Sequence, residues 1–358
     1  MKKFKILPVL LILLSLCVPA FAQGYEPDVI VSMQIGNPVM QINGEDASID
    51  NSKITSPIII ESRTLVPVRA IIEAFGGDVT WDEKTKTVTS RLKSDKVILT
   101  IDSNKAYFNR ELYTLDTVPV IINDRTMLPI RFIAESFNLG VAWNDKSKTV
   151  WIIRNSFEED EYLSLMEELP EYSGKPYAVI NNNIPYFENY EIIDGSFEFY
   201  ASLDSLGRCD VAFSSVTEDI MPTEKRGNIS SVKPTGWVNN MYDFIEGKSL
   251  YNRCHLIGFQ LTGENANRRN LITGTRYLNT KGMLPFENMI DDYIEETGNH
   301  VMYRVSPVFT GENLVADGVL MEAYSVEDKG KGIQFCVFCY NVQPKVKINY
   351  LTGENEAA

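Results

Sequence analysis

The spacing of apolar and polar residues changes character along the chain. Behind Lys2, Lys3 and Lys5 an apolar run extends from Ile6 to Val18, closing on Pro19 and the small-x-small triplet Ala20, Phe21, Ala22. A basic start, a short apolar core and a small-residue exit predict a signal peptide over residues 1–22, and hence export. The run falls short of the ~20 residues that cross a bilayer comfortably. A retained N-terminal anchor is the alternative reading.

Residues 57–90 then return as residues 119–152, at an offset of 62. Pro57, Arg63, Thr64, Leu65, Pro67, Arg69, Glu73, Phe75, Trp81, Lys84, Lys86, Thr87 and Val88 reappear as Pro119, Arg125, Thr126, Met127, Pro129, Arg131, Glu135, Phe137, Trp143, Lys146, Lys148, Thr149 and Val150. So many matches at one offset mark an internal duplication. The pattern of each unit predicts a strand, a turn, a short helix, a glycine-containing break and a hairpin. Pro67 and Pro129 suit a first helical turn, where a missing N–H leaves nothing unsatisfied. Arg69, Ile72, Glu73 and Phe75 are expected on the helical face that meets the sheet, with Trp81 and Trp143 in the core. Nothing in either unit supplies a nucleophile or a metal cluster.

Beyond the repeat, residues 154–171 form an acidic connector carrying Glu158, Glu159, Asp160, Glu161, Glu167 and Glu168. From Tyr172 the pattern shifts to short apolar runs separated by Asn, Pro and Gly. Two strands are predicted on either side of Asp204 to Gly207, and a helix from Pro285 to Thr297 with Met289, Ile290, Tyr293 and Ile294 as its apolar stripe. Returning strands follow around Val301, Val319 and Phe335. The expected fold class is α+β throughout: a small duplicated domain over residues 29–153, then a larger domain over residues 172–354 built on an antiparallel sheet.

Charge sharpens this picture. A net charge of −14 argues against a protein that coats nucleic acid electrostatically. Yet residues 221–281 hold nine Lys or Arg against four acidic residues, a local balance of +5. Such an island can focus a polyanion at one cleft, or it can be a solvated face. Beyond Cys17, the cysteines at 209, 254, 336 and 339 are too few for a disulfide framework and read as small buried side chains, with one disulfide allowed. A direct bridge between Cys336 and Cys339 on one strand is awkward, because the two point to opposite faces.

Only His255 and His300 supply imidazole. His300 opens an apolar strand and reads as structural or surface-exposed. A lone histidine such as His255 is ordinarily unremarkable. Adjacent residues of a strand face opposite ways, so Cys254 and His255 do not form a thiol–imidazole pair.

The segment Asn252, Arg253, Cys254, His255 and its surroundings nevertheless resemble the DNA/RNA non-specific endonuclease family of the ββα-metal superfamily, in particular the DNA-entry nucleases of Gram-positive bacteria. Those enzymes carry Asp-Arg-Gly-His where this chain has Asn252 to His255. The stretches LDSLGR, MPTEKR, VKPTGW, NLITGTRYLN and VQPKVKINYLTGE keep the family's order. The resemblance implies that His255 is the general base, that Asn279 is the Mg²⁺ ligand with Mn²⁺ able to substitute, and that Asn270 and Glu287 organise the base and the water around the metal. It also implies an upstream arginine that neutralises the transition state. Arg208, Lys225 and Arg226 are the candidates, with Arg226 favoured, while Arg253 either reaches phosphate or braces the fold. DNA, and RNA as a second class, would be bound through sugar and phosphate without strong sequence preference. Asn252 and Cys254 depart from the signature, and Asp291 stands where some members carry arginine. These departures leave a catalytically degenerate nucleic-acid or cell-envelope binding protein as the alternative. Residues 29–153 resemble the copper amine oxidase N-terminal-like domain of secreted bacterial proteins, which implies cell-wall or surface association and no copper chemistry.

Overall fold

The structure, a computed structural model, describes residues 28–50, 54–60, 62–154 and 169–358. The expected leader and most of the acidic connector lie outside the described residues.

The duplication has a direct geometric expression. Strands Arg63–Pro67 and Arg125–Pro129 pair antiparallel with Val66 opposite Leu128, Leu65 opposite Pro129 and Pro67 opposite Met127. That register is unchanged when the units are exchanged, so the two copies meet across a local twofold. In the first unit, hairpin Asp78–Asp82 and Thr87–Leu92 continues into strands Asp95–Thr100, Lys105–Phe108 and Glu111–Thr114. The second unit's hairpin, Gly140–Asn144 and Thr149–Arg154, is completed from the other end of the domain. Val29–Gln34 pairs with Thr149–Arg154, followed by Val39–Ile42 and Glu45–Ser48.

The helices Val68–Ala74 and Ile130–Ser136 begin directly after Pro67 and Pro129, which sit at the cap position rather than inside the first turn. Two expectations are corrected here. Arg69 and Glu73 face solvent and pair with each other at 3.2 Å, one helical turn apart, while Val68, Ala70, Ile71 and Ile72 make the buried face. Trp81 and Trp143 are only partly buried at the margin of the core, with the Trp81 indole N–H donating to Glu83.

The C-terminal domain is built on a six-stranded antiparallel sheet in the order Tyr177–Val179, Gln334–Tyr340, Gly318–Ser325, Val301–Val308, Ala212–Val216 and Phe197–Tyr200. Its central strands are apolar on both faces because both faces are covered. One face, through Val301, Tyr303, Val305 and Met321, packs on Leu256, Ile272, Leu278, Ile290 and Ile294. Alternate residues such as Met302 and Phe213 turn the other way and share a core with Ile30, Ala142 and Ile153 of the duplicated domain. On that side the buried Arg304 is held between Glu191 at 2.8 Å and Glu322 at 2.9 Å.

The first face carries a two-stranded hairpin, Tyr251–His255 with Leu271–Thr275, and the helix Leu284–Thr297. Pro285 opens that helix, and Gly298 ends it in the left-handed conformation. Its buried residues are Phe286, Glu287, Ile290 and Ile294; Met289, expected in the apolar stripe, is 47% exposed. The four described cysteines are buried and form no disulfide among the described residues, and Cys336 and Cys339 point into different cores.

Candidate active site

His255 ends the strand Tyr251–His255, and strand alternation separates its environment from that of its neighbour. The Cys254 side chain turns into the core. Gly274 makes that possible, since a Cβ there would lie 2.5 Å from the Cys254 Cβ. Cysteine in place of the signature glycine is therefore matched by a glycine across the hairpin. Burial holds the Cys254 thiol well above its usual pKa, which leaves it no nucleophilic role.

Both ring nitrogens of His255 are engaged. Nε2 lies 2.8 Å from the carbonyl oxygen of Asn265, which can only accept, so Nε2 carries the proton. Nδ1 is then the basic atom, and the Arg226 guanidinium donates to it at 3.2 Å. The imidazole pKa is lowered from 6.5 to about 4, first by burial, then by Arg226, with the Asn265 carbonyl pulling the other way. His255 is therefore a neutral base at any pH near 7.

The loop after His255 is held by Asn270. This residue is fully buried, accepts from the Ile257 amide at 2.9 Å and donates to the Ile257 carbonyl at 3.0 Å. With both polar atoms so occupied, Asn270 positions the backbone beside the base and does not face the cleft.

Asn279 lies in a π-helical turn, Leu278–Met283, that leads into the long helix. Wider turns of this kind recur at functional sites because they displace a side chain from the helical register. The Asn279 amide oxygen accepts from the Cys254 thiol at 3.1 Å and keeps a second lone pair. Eight residues on, Glu287 is buried on the helix face turned toward Gly258, where an added Cβ would come within 2.9 Å of the carboxyl. Burial pushes the Glu287 carboxyl up to about 8, against the opposing pull of the Gly258 amide and Arg226.

These groups meet in a cleft of about 530 Å³ lined by Arg226, Asn252, Arg253, His255, Gly258, Arg276, Asn279 and Glu287 among others. The side-chain amide nitrogen of Asn252 and Nε of Arg276 are buried with no hydrogen-bond partner among the described residues. Among the described residues no three His, Cys, Asp or Glu side chains converge to cage a metal. The donor set of an amide oxygen and a carboxyl suits a hard, largely hydrated cation such as Mg²⁺. A carboxyl buried at such cost fits the same purpose.

Two of the other basic candidates, Arg208 and Arg253, have structural duties. Arg208 binds Asp204 at 2.6 Å and the Gly311 carbonyl at 2.7 Å and lies over the Phe309 ring. Arg253 reaches the cleft wall, but its guanidinium donates to the Val232 and Ser230 carbonyls and stacks on Trp237 at 4.3 Å, bracing that loop. His300 pairs with Glu327 at 2.6 Å, is not among the residues lining the cleft, and takes no part in it. Gly258 and the Asn265 carbonyl were not legible in the sequence, and Arg276 was expected there only to position the nucleic-acid backbone or to face solvent. Only Arg276, in the basic island, left a residue-type signal.

A stability measurement tests the Glu287 environment. A carboxyl whose pKa is raised in the fold lends stability at low pH that is lost as pH rises through the folded value. In metal-free protein, Glu287→Gln should therefore melt higher than the parent at about pH 9 and about equally at pH 4, near the free carboxyl's range. Equal melting at both would contradict a carboxyl whose pKa burial has raised.

Residues 188–327 match the family described as DNA/RNA non-specific endonuclease, and residues 48–152 match the copper amine oxidase N-terminal domain. Both families anticipated from the sequence are thus among the matches. A comparison with curated proteins gives no match. Among solved structures, NucA from Streptococcus agalactiae with magnesium bound is 21% identical, covering 56% of this chain and 98% of that one at a TM-score of 0.48. The Sda1 nuclease with bound zinc is 25% identical, covering 51% and 97% at a TM-score of 0.42.

Proposed function

We propose, for a chain whose residues 188–327 carry a DNA/RNA non-specific endonuclease domain, that it is a secreted, Mg²⁺-dependent endonuclease hydrolysing phosphodiester bonds in DNA, with RNA as a second substrate class. The observation that carries this reading is a buried, neutral imidazole with Nε2 tied to a carbonyl and Nδ1 beside Arg226, in a cleft that also holds Asn279 and Glu287.

Nδ1 of His255 takes the proton from a water that attacks phosphorus in line with the leaving oxygen. Arg226, already hydrogen-bonded to the base, donates to a non-bridging phosphate oxygen as its charge grows. Asn270 holds the backbone beside His255, and the Asn265 carbonyl fixes the tautomer. Asn279 and Glu287 would hold Mg²⁺, or Mn²⁺ in its place; the ion, when bound, supplies positive charge to the phosphate. Arg276 and Asn252 bring unsatisfied donors to the same cleft, which suits an anionic backbone rather than base edges. Secretion rests on residues 1–22, and association with the cell envelope on the duplicated domain.

The test is cleavage of supercoiled plasmid and of single-stranded RNA by the purified protein with Mg²⁺, with Mn²⁺ and with chelator. Metal-dependent nicking and linearisation are expected, with a steep fall in rate as salt rises. No cleavage by folded protein with either metal would favour the degenerate binding domain, with Asn252 and Cys254 as the first departures to examine.

A further inference from the structure

Duplication gives most positions of the second unit a counterpart in the first, and several counterparts differ where the second unit meets the C-terminal domain. Gly76 holds the left-handed turn after the first helix, with nothing within 4 Å of where its Cβ would stand. Asn138 holds the same turn in the second unit at φ 52. Asparagine is among the few side chains that enter this region readily. Its amide is fully used: Nδ2 donates to the Tyr200 carbonyl at 3.3 Å, and Oδ1 accepts from Arg269.

Two further exchanges follow the same pattern. Exposed Asp78 corresponds to buried Gly140, where a Cβ would lie 3.2 Å from the Phe199 Cβ. Asp82 and Asn144 both cap the turn that follows them through Oδ1. Only an amide can also donate, and Asn144 does so to the Asp194 carbonyl at 3.0 Å. From the opposite side, Gly195 lets the Trp143 backbone approach, and Trp143 bridges to Ser196. The edge of one sheet is thereby closed by the edge of the other.

Two of these contacts lead to the site. Arg269 belongs to the turn Arg268–Asn270, whose last residue clamps Ile257 just beyond His255. The Tyr200 hydroxyl donates to Glu198 at 3.0 Å and accepts from Thr262 at 3.1 Å, in the helical turn Phe259–Thr262 that starts at Gly258, the neighbour of Glu287.

We propose that the second unit of the duplicated domain is an intramolecular docking module, and that Asn138 is a positioning residue for the nuclease site. It acts by holding the Arg268–Asn270 turn and, through Tyr200, the turn that follows the His255 loop. The activity arm of this inference rests on the nuclease reading; the structural arm does not.

The experiment restores the first unit's residues in the full chain, as Asn138→Gly with Asn144→Asp. Glycine adopts the left-handed turn without strain and aspartate keeps the cap, so the fold is retained. Amide exchange at Arg269–Leu271 is expected to quicken about ten-fold, the scale of one lost hydrogen bond. The kcat should fall about ten-fold with KM unchanged, since no group that reaches substrate is altered. Asn138→Asp, which keeps an acceptor for Arg269, should recover most of kcat. Faster exchange with unchanged kcat, or unchanged exchange, overturns the positioning role. A lowered melting temperature with kcat and KM intact does the same. If the parent protein cleaves nothing, exchange alone decides the docking: equal protection in parent and variant overturns it.

Discussion

Replacing His255 with alanine is expected to lower kcat by about 10³-fold, the scale of a lost general base. Substrate binding and folding should be largely intact. The cleft loses only the imidazole, because the loop beyond it is held by Asn270 through the Ile257 backbone. The pH profile makes the assignment specific. A histidine at its ordinary value of 6.5 would leave about 3% of the base form at pH 5. A base held down to about 4 keeps roughly nine-tenths of it. At saturating metal, kcat/KM of the parent should therefore hold its plateau well below the usual histidine range. Stability carries the matching sign: a lowered histidine pKa contributes stability that is present above 6.5 and lost as pH falls through about 4. His255→Ala should flatten that acid slope. A variant that keeps kcat within about three-fold of the parent would remove His255 from the chemistry, given the usual size of base catalysis.

Much of this architecture was legible because it is periodic. Thirteen matched positions at one offset announce two like units, and the symmetric pairing of Val66 with Leu128 is what two such units do when their strands meet. The recurrence of Arg69 and Glu73 as Arg131 and Glu135 suggested packing. In the first copy the structure shows an i,i+4 pair in solvent, and a helix of only seven residues is too short for its periodicity to separate the two faces. The completion of the second unit by Val29–Gln34 was not legible, because that strand meets Thr149–Arg154 across more than a hundred residues and no local turn joins the two. At the site, the segment from Asn252 to Glu287 was readable as a resemblance, and the fold gathers His255, Asn279 and Glu287 in one cleft. What the sequence could not carry was done by backbone. The Asn265 carbonyl that sets the tautomer has no residue-type signature. Gly258 is small only because Glu287 lies against it. Arg226 and Arg253 look alike in sequence, yet one meets the base and the other is absorbed by two carbonyls and an indole.

Arg226→Ala should cost about 10² to 10³ in kcat, the range for one preorganised donor facing developing charge. The resting position of the guanidinium sets this role. The group lies on Nδ1 of His255, the lone pair that accepts the proton in the proposed mechanism, so attack by that route requires it to turn toward the phosphate. An arriving phosphate oxygen, charged where Nδ1 is neutral, is the better acceptor for a guanidinium. Substrate binding itself thus uncovers the base. Two consequences separate this role from simple attraction of a polyanion. First, Arg226 helps depress the His255 pKa, so its removal should move the acid limb of the pH profile upward, though burial, the larger cause, keeps it below 6.5. Second, Arg226→Lys keeps the charge but loses the planar fork, so it should hold the acid limb in place while recovering only part of kcat. A uniform rise in KM with kcat and pH profile unchanged would make Arg226 one more member of the basic island, and would move the search for the charge-neutralising group to Arg276, whose buried Nε has no partner in the same cleft.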